Sequence, residues 1–250
     1  MEFNRHIKNH LKQSIMKTKS ISSLKFMAML MISLSTMFTF TACSDDDDDV
    51  VPTPSQGRIM VIHASPDAPA VDILVNNNVV NTTDLEFPDH IGYVNINTGT
   101  NNIKVNVANT ATTVIDANLT IVANTNYSVF AIDSVSNIAP LVLTDDLSAP
   151  AAGKAHVRFI HLSPNAPAVD VAVTGGAVVF GNKIFTDATA FTPLDANTYN
   201  LEVRLAGTAN VVLPLPGIVL TAGKIYTVFA KGFVGGTGAQ ALGAEIIVNN

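Results

Sequence analysis

The chain carries one eleven-residue motif twice, and this duplication limits the possible folds more than any other feature of the sequence. The motif reads IHASPDAPAVD at 62–72 and IHLSPNAPAVD at 160–170, an offset of 98. Two further segments repeat in the same order, NIKV as NLEV and YSVFA as YTVFA, at offsets of 98 and 99. Because the order and the spacing are both kept, we expect two copies of one folded module in tandem.

The repeats set the predicted domain boundaries. We predict module 1 at residues 58–146 and module 2 at residues 154–250. Residues 147–153 join them and consist mostly of small residues around one proline, which is typical of a short, semi-rigid linker. Each module is long enough to bury a core of its own.

Short apolar segments rich in Val, Ile, Thr, Phe and Tyr make up both modules. Clusters of Asn, Gly, Pro or Asp interrupt them every eight to twelve residues, among them Asn76 to Asn78 and the pair Gly175 and Gly176. Such residues tolerate the positive φ that tight hairpins require. The pattern predicts an all-β chain with about seven strands per module, folded as two tandem immunoglobulin-like or related β-sandwich modules.

The first strand of each module shows on which face the repeated histidine lies. Side chains alternate between the faces of a strand, so Ile59, Val61 and His63 share one face. His161 occupies the same place in module 2. The opposite face carries Met60 in one copy and Arg158 in the other. We therefore expect both histidines to point inward.

The N-terminal region predicts export and lipid attachment. Three lysines precede an apolar run at 26–40, which is too short to span a bilayer as a helix and is typical of a signal peptide at 1–42. Met16 is an alternative start. The run ends at Thr41-Ala42-Cys43, which resembles a bacterial lipobox. Cys43 is the single cysteine of the chain and cannot form an intramolecular disulfide, so lipidation explains it best, with a lone buried cysteine as the alternative.

Residues 43–57 predict a disordered acidic tether. Five aspartates, Asp45 to Asp49, follow the cysteine, and like charges of this density do not collapse. Such a run also resembles the surface-export signal of Bacteroidetes-type lipoproteins, which implies the outer membrane and the cell surface. Without residues 1–42, Lys and Arg fall from 14 to 8 and Asp and Glu from 20 to 19, leaving a net charge of about −11. Nucleic acid is therefore not an expected partner.

The repeated motifs resemble those of a known family, the envelope proteins built from tandem copies of the domain of unknown function 4397. The resemblance rests on the two His-x-Ser-Pro-x-Ala-Pro-Ala-Val-Asp motifs and the two Tyr-x-Val-Phe-Ala strands, and it covers nearly all of 58–250. It implies a pair of secreted or surface β-sandwiches. It implies no activity, because none is established for the family.

The repeated His and Asp are the best candidates for chemistry, namely His63 with Asp72 and His161 with Asp170. A catalytic His-Asp pair needs a nucleophile, and the repeated hydroxyls nearby belong to Ser65 and Ser163. Both serines precede proline in a turn, where a hydroxyl more often bonds backbone. We therefore interpret the motif as structural, with each aspartate holding the Ser-Pro turn or the histidine, and keep a surface hydrolase as the alternative.

Other patterns are weaker. No histidine of the mature chain has the spacing of a zinc site, and Asp84, Glu86 and Asp89 lack the dense pattern of a calcium loop, so neither a metal nor another cofactor is predicted. Residues 236–241 match the loose dinucleotide fingerprint, but too few residues follow for a βαβ unit. The chain has no tryptophan, and its four tyrosines lie in strand patterns, which is unusual for a glycan platform.

Together these observations favour a non-enzymatic lipoprotein of the cell surface that acts as an adhesion, binding or spacer module. Its expected partners are the membrane, through the lipid on Cys43, and an extracellular glycan or protein. A surface hydrolase and a glycan-binding accessory lipoprotein remain the alternatives.

Overall fold

A computed structural model describes residues 54–250, which form sixteen strands and two single-turn 3₁₀ helices. The strands of module 1 are β1 (Gln56–His63), β2 (Val71–Val75), β3 (Asn78–Val79), β4 (His90–Asn97), β5 (Gly99–Val107), β6 (Thr113–Ile121), β7 (Asn126–Ile132) and β8 (Ala139–Asp145). Those of module 2 are β9 (Lys154–His161), β10 (Val169–Val173), β11 (Val178–Lys183), β12 (Thr192–Asp195), β13 (Asn197–Leu205), β14 (Val211–Leu220), β15 (Ile225–Lys231) and β16 (Gly243–Val248). The short helices are Val135–Asn137 and Gly238–Gln240.

Each module is a sandwich of two four-stranded sheets. In module 1 one sheet has the order β4-β1-β7-β8 and the other β3-β2-β5-β6, and module 2 repeats both orders strand for strand. We call the sheet with β1 or β9 the inner sheet and the sheet with β2 or β10 the outer sheet. The predicted all-β fold with two tandem sandwiches is confirmed.

Two details differ from the expected fold. Each module has eight strands rather than about seven, and β3 has only two residues. The strand order also differs from that of an immunoglobulin constant domain, since β1 and β7 are parallel neighbours in the middle of one sheet. The related sandwich is therefore the correct alternative. In addition, β1 begins at Gln56, slightly before residue 58, because Gln56 and Gly57 already pair with β4.

Three hydrophobic cores stack the four sheets into one body. The first lies between the sheets of module 1, and the second between the sheets of module 2. The third lies between the two inner sheets and contains Met60, Ile62, Phe130, Ile160 and Phe229, with others. The two modules therefore pack together through their inner sheets.

This third core corrects our interpretation of the first strand. His63 is buried as predicted, and Ile59 and Val61 lie in the core of module 1. The face opposite the histidine, which we expected to point outward, is buried as well: Met60 lies in the core between the modules, and Arg158 is buried there. The strands at the centre of each inner sheet are therefore covered on both faces, which explains their nearly continuous apolar sequence.

Candidate functional site

The repeated histidines fasten the proline-rich turn that follows the first strand of each module. His63 Nε2 lies 3.0 Å from the carbonyl oxygen of Pro69, and His161 Nε2 lies 3.1 Å from that of Pro167. Each bond satisfies a carbonyl that no neighbouring strand reaches. Burial lowers the pKa of both histidines, and the nearby carbonyls of the turn and of the histidine itself oppose part of that effect. A neutral ring that donates from Nε2 fits this arrangement.

The repeated serines are buried and do not form a pair with the histidines. Ser163 Oγ donates to the carbonyl oxygen of Gly232 at 2.6 Å. Ser65 Oγ has no hydrogen-bond partner within residues 54–250, and the same is true of the Nδ1 atoms of both histidines. No hydrogen bond links serine to histidine in either described module, so the geometry of an activated nucleophile is missing there.

The repeated aspartates hold a different loop from the one we expected. Asp72 Oδ2 accepts the backbone N–H of Asn109 at 3.0 Å. Asp170 Oδ2 accepts that of Gly207 at 2.8 Å, and its Oδ1 accepts that of Asn182 at 2.6 Å. Asn109 and Gly207 are equivalent positions of positive φ in the hairpin after β5 or β13. The expected contact with the Ser-Pro turn or the histidine is wrong, because the carboxylate leaves β2 or β10 on the far face of the outer sheet.

Electrostatics agree with these contacts. The N–H groups of Asn182 and Gly207 hold the pKa of Asp170 below its usual range, because both bonds favour the charged carboxylate. Asp170 therefore stays ionised while it anchors the two loops. This is a structural use of the motif aspartate.

Other residues of the motif fix the Ser-Pro turn. Asp67 Oδ1 accepts the backbone N–H of Val135 at 2.7 Å. In module 2 the side chain of Asn165 makes two hydrogen bonds with the backbone of Val234. Asn165 Oδ1 accepts from the Val234 N–H at 2.8 Å, and Asn165 Nδ2 donates to the Val234 carbonyl oxygen at 3.1 Å. Our sequence reasoning missed these residues, although a signal was present. One position between the two prolines of the motif is Asp in module 1 and Asn in module 2, so a short hydrogen-bonding side chain is kept there.

A buried ion pair joins the two modules at the third core. The Arg158 guanidinium of module 2 donates from Nη1 to Asp145 Oδ1 of module 1 at 2.6 Å. Their side chains are 3% and 0% exposed. Arg158 also donates from Nη2 to Ser128 Oγ at 2.8 Å and from Nε to Thr227 Oγ1 at 2.8 Å. All three nitrogens of the guanidinium are therefore hydrogen-bonded.

The remaining polar atoms of this network are satisfied by each other. Asp145 Oδ2 accepts from the Tyr93 hydroxyl at 2.5 Å and from Ser128 Oγ at 2.6 Å. Asn249 Nδ2 donates to the Tyr93 hydroxyl at 3.2 Å, and Asn249 Oδ1 accepts from Thr227 Oγ1 at 2.7 Å. Burial, and then the charge of Asp145, raise the pKa of Tyr93, so its hydroxyl remains a donor. We call these six residues the interface network.

The interface has an approximate twofold relation, because equivalent residues meet. Phe130 and Phe229 share one motif position and contact each other edge to face, with ring centroids 6.0 Å apart. Arg158 is equivalent to Met60. Asp145 is equivalent to Asn249. In each module this residue comes directly after the one that is the strand partner of the tyrosine in the Tyr-x-Val-Phe-Ala segment. Met60 Sδ in turn lies 4.0 Å from Asn249 Nδ2. The ion pair therefore has a neutral counterpart across the axis.

An apolar cavity of about 360 Å³ lies at the end of module 2. His161 and Pro167 line it from the motif, and Val234 and Leu242 line it from the segment between β15 and β16. That segment is closely packed: Gly232 has a φ of +77°, and a Cβ there would lie 2.2 Å from the Ala241 carbonyl oxygen. Ligand pockets commonly have this volume, but they also hold several convergent polar groups, and this lining has few.

The other candidates give no assembled site in the described part of the chain. Within residues 54–250 no three His, Cys, Asp or Glu side chains converge on a metal position. Tyr127 and Tyr226 are buried, Tyr93 belongs to the interface network, and the Tyr199 hydroxyl donates to the Asp195 carbonyl. The four tyrosines thus do not form an exposed platform.

The predicted signal peptide, Cys43 and the aspartate run lie outside the described residues. Among residues 54–250 no helix is long and apolar enough to cross a membrane.

Comparison with known proteins adds a family match and no relative of known activity. No curated protein sequence matches the chain. The family match begins within β1, covers all of module 1 and ends in β10, so it includes both copies of the repeated motif. The resemblance seen in the sequence is thereby confirmed for this part of the chain: residues 57–172 match the family described as Domain of unknown function (DUF4397).

Proposed function

We propose that this protein is a non-enzymatic lipoprotein of the outer membrane surface whose two modules act as one adhesion, binding or spacer body. The observation that carries the proposal is the shared third core with its buried ion pair, which joins the modules into a single body. A rigid body on a lipid-anchored acidic tether is suited to holding a binding face away from the membrane. The anchor and the surface location rest on the sequence around Cys43.

The burial of the motif argues against the hydrolase alternative. His63 and Ser65 are both fully buried. The side chain of Asp72 projects from the outer sheet on the face that points away from them. A hydrolytic site needs a nucleophile, a base and an open path for the substrate. The motif residues instead hold turns and loops.

The outer sheet of module 1 is the face best suited to a ligand. Its solvent side carries polar side chains that are fixed by mutual hydrogen bonds. Asn102 Nδ2 donates to Asp116 Oδ1 at 2.6 Å, and Lys104 Nζ donates to Asn77 Oδ1 at 2.9 Å. Polar groups held in place in this way lose little entropy on binding. The tyrosines of residues 54–250 form no exposed platform, which makes a protein ligand a better fit than a glycan.

The proposal is tested with residues 54–250 and with whole cells. We expect protease to reach the protein on intact cells, and the purified chain to bind a matrix protein or glycan on an array. An Asn102→Ala, Asp116→Ala variant should lose that binding. A matched control is Lys154→Ala, Asp195→Ala, which removes the exposed 2.7 Å ion pair of module 2.

Two results would contradict the proposal. One is protection from protease on intact cells, which would place the protein on the inner side of the membrane. The other is hydrolysis of an ester, peptide or glycoside that disappears in a Ser65→Ala, Ser163→Ala variant, which would restore the hydrolase alternative.

A further inference from the structure

We propose that the inner faces of the two modules form a heterospecific pair: the face of module 1 fits the face of module 2, and neither fits a second copy of itself. The partner of each face is therefore the other module of the same chain. This inference concerns the interface network and does not depend on the proposed function.

Because of the approximate twofold axis, each contact of the interface has an equivalent contact on the other side of the axis. On one side Arg158 meets Asp145 at 2.6 Å, and on the other Met60 meets Asn249 at 4.0 Å. An axis of this kind is the geometry of a homodimer, in which one patch contacts an identical patch. The duplicated chain keeps that geometry, but equivalent positions hold different residues, above all Met60 and Arg158, and Asp145 and Asn249.

Pairing of like with like would bury uncompensated charge. Two copies of module 1 would bring Met60 against Asp145 on both sides, which buries two carboxylates without a cation. Two copies of module 2 would bring Arg158 against Asn249 on both sides, which buries two guanidinium groups without an anion. Only the mixed pair is neutral, and an unpaired buried charge is strongly unfavourable. The charges thus select the partner by excluding the alternatives.

A third pair of equivalent positions also differs between the modules. Tyr93 and Phe191 occupy the same place beside the first strand, as the pairing of β4 with β1 and of β12 with β9 shows. Tyr93 donates to Asp145, while the Phe191 ring lies 4.6 Å from the Arg158 guanidinium carbon. The tyrosine hydroxyl hydrogen-bonds the carboxylate, and the face of the phenylalanine ring contacts the guanidinium. Each module therefore supplies its own buried charge with an aromatic neighbour suited to that charge.

The experiment makes both like-with-like interfaces inside the full chain, so that no module has to fold alone. Arg158→Met with Asn249→Asp gives module 2 the residues of module 1. Met60→Arg with Asp145→Asn gives module 1 the residues of module 2. The quadruple variant combines all four changes and moves the ion pair to the other side of the axis.

We expect each of the two double variants to unfold at a urea concentration lower by about 2 M or more, or to fail to fold. The quadruple variant should recover most of the loss. The control, Lys154→Met with Asp195→Asn, removes an exposed ion pair and should leave the midpoint nearly unchanged. The proposal is overturned if the double variants unfold at the wild-type midpoint, or if the quadruple variant is as unstable as they are.

Discussion

Replacement of the two charged partners in the interface network, singly and together, tests whether the ion pair stabilises the chain or only avoids unpaired charge. Arg158→Met leaves the Asp145 carboxylate buried without a cation, and Asp145→Asn leaves the guanidinium without an anion. Breaking one partner of a buried pair costs about 3 to 5 kcal/mol. That is a large share of a total stability of about 5 to 15 kcal/mol.

The hydrogen bonds predict which single change is worse. Asp145 Oδ2 accepts from Tyr93 and Ser128, and Oδ1 accepts from Arg158. An asparagine offers one oxygen and one NH₂ group. If the NH₂ group faces Arg158, two donors meet; if it faces Tyr93 and Ser128, neither hydroxyl keeps its carboxylate acceptor and both must rearrange. In Arg158→Met the carboxylate keeps its two hydroxyl donors. We therefore expect Asp145→Asn to lose more stability than Arg158→Met.

The variant that combines Arg158→Met with Asp145→Asn should be much more stable than the sum of the two losses predicts. It sets a methionine side chain against an asparagine side chain, which copies the pair that Met60 and Asn249 already form across the axis. The oxygen of the introduced asparagine can then turn to the two hydroxyls. We expect a coupling of about 3 kcal/mol or more in a double-mutant cycle.

Urea unfolding followed by far-ultraviolet circular dichroism measures these differences, since the chain has no tryptophan for fluorescence. With a denaturant slope of about 2 kcal/mol per molar, each single variant should shift the midpoint by about 2 M. Additive losses in the combined variant would refute the reasoning, because they would mean that the two charges do not compensate each other.

Four further predictions concern the anchor and the repeated motif. Cys43→Ser should abolish lipidation and remove the protein from the carbonate-washed membrane fraction, and an unchanged membrane fraction would contradict this. Replacing Asp45 to Asp49 with alanine should keep lipidation but reduce protease accessibility on whole cells; equal accessibility would exclude the export role. Asp170→Ala should lower the urea midpoint more than Asp72→Ala, because Asp170 accepts two backbone N–H groups and Asp72 one, each bond being worth about 1.5 to 3 kcal/mol; the reverse order would contradict this assignment. The two buried histidines have a pKa below that of the unfolded chain, so the stability they confer is complete above about pH 6.5 and is lost as the pH falls; His161→Phe should flatten this slope in urea titrations, and an unchanged slope would mean that His161 does not contribute.

The sequence predicted the sandwiches well because the duplication presents each strand signal twice. The burial of His63 and His161 followed from alternation along the first strand alone. In module 1 the eighth strand could not be predicted with the same method, since β3 has two residues and both are exposed. A strand of this length carries no period.

The interface between the modules could not be predicted, because hydrophobic alternation treats every charged residue as solvent-exposed. Arg158 lies in the run VRFIH, where its charge marks an outer face. Its partner Asp145 ends β8 in a context of two consecutive aspartates, which resembles a surface turn. Only the fold brings the two together. The continuous apolar runs of β1 and β7 were the available signal, since strands covered on both faces are apolar at successive positions.

The aspartates show that the correct face of a strand can be predicted for a side chain while its hydrogen-bond partner is predicted wrongly. Asp72 was expected to leave the apolar face, and it does, but that direction leads to the hairpin after β5 instead of the Ser-Pro turn. Sequence spacing cannot identify this partner, because Asn109 lies 37 residues away. In both modules the aspartate accepts the N–H of this left-handed hairpin residue, Asn109 or Gly207, and this shared contact explains why the aspartate is repeated.

The comparison of the two copies indicates where a ligand-binding surface should be sought. Residues that serve the fold, such as the buried motif histidines, are the same in both modules because both modules need the same turns. A surface that serves one specific ligand has no such reason to be duplicated. The outer sheets do differ: module 1 exposes Asp116 and Asn118 on its edge strand, whereas module 2 exposes Pro214 and Val219 on the equivalent strand. Prolines on an edge strand block the addition of a further strand, which fits a protective role. The polar edge of module 1 lacks that protection and remains the surface on which a specific partner should bind.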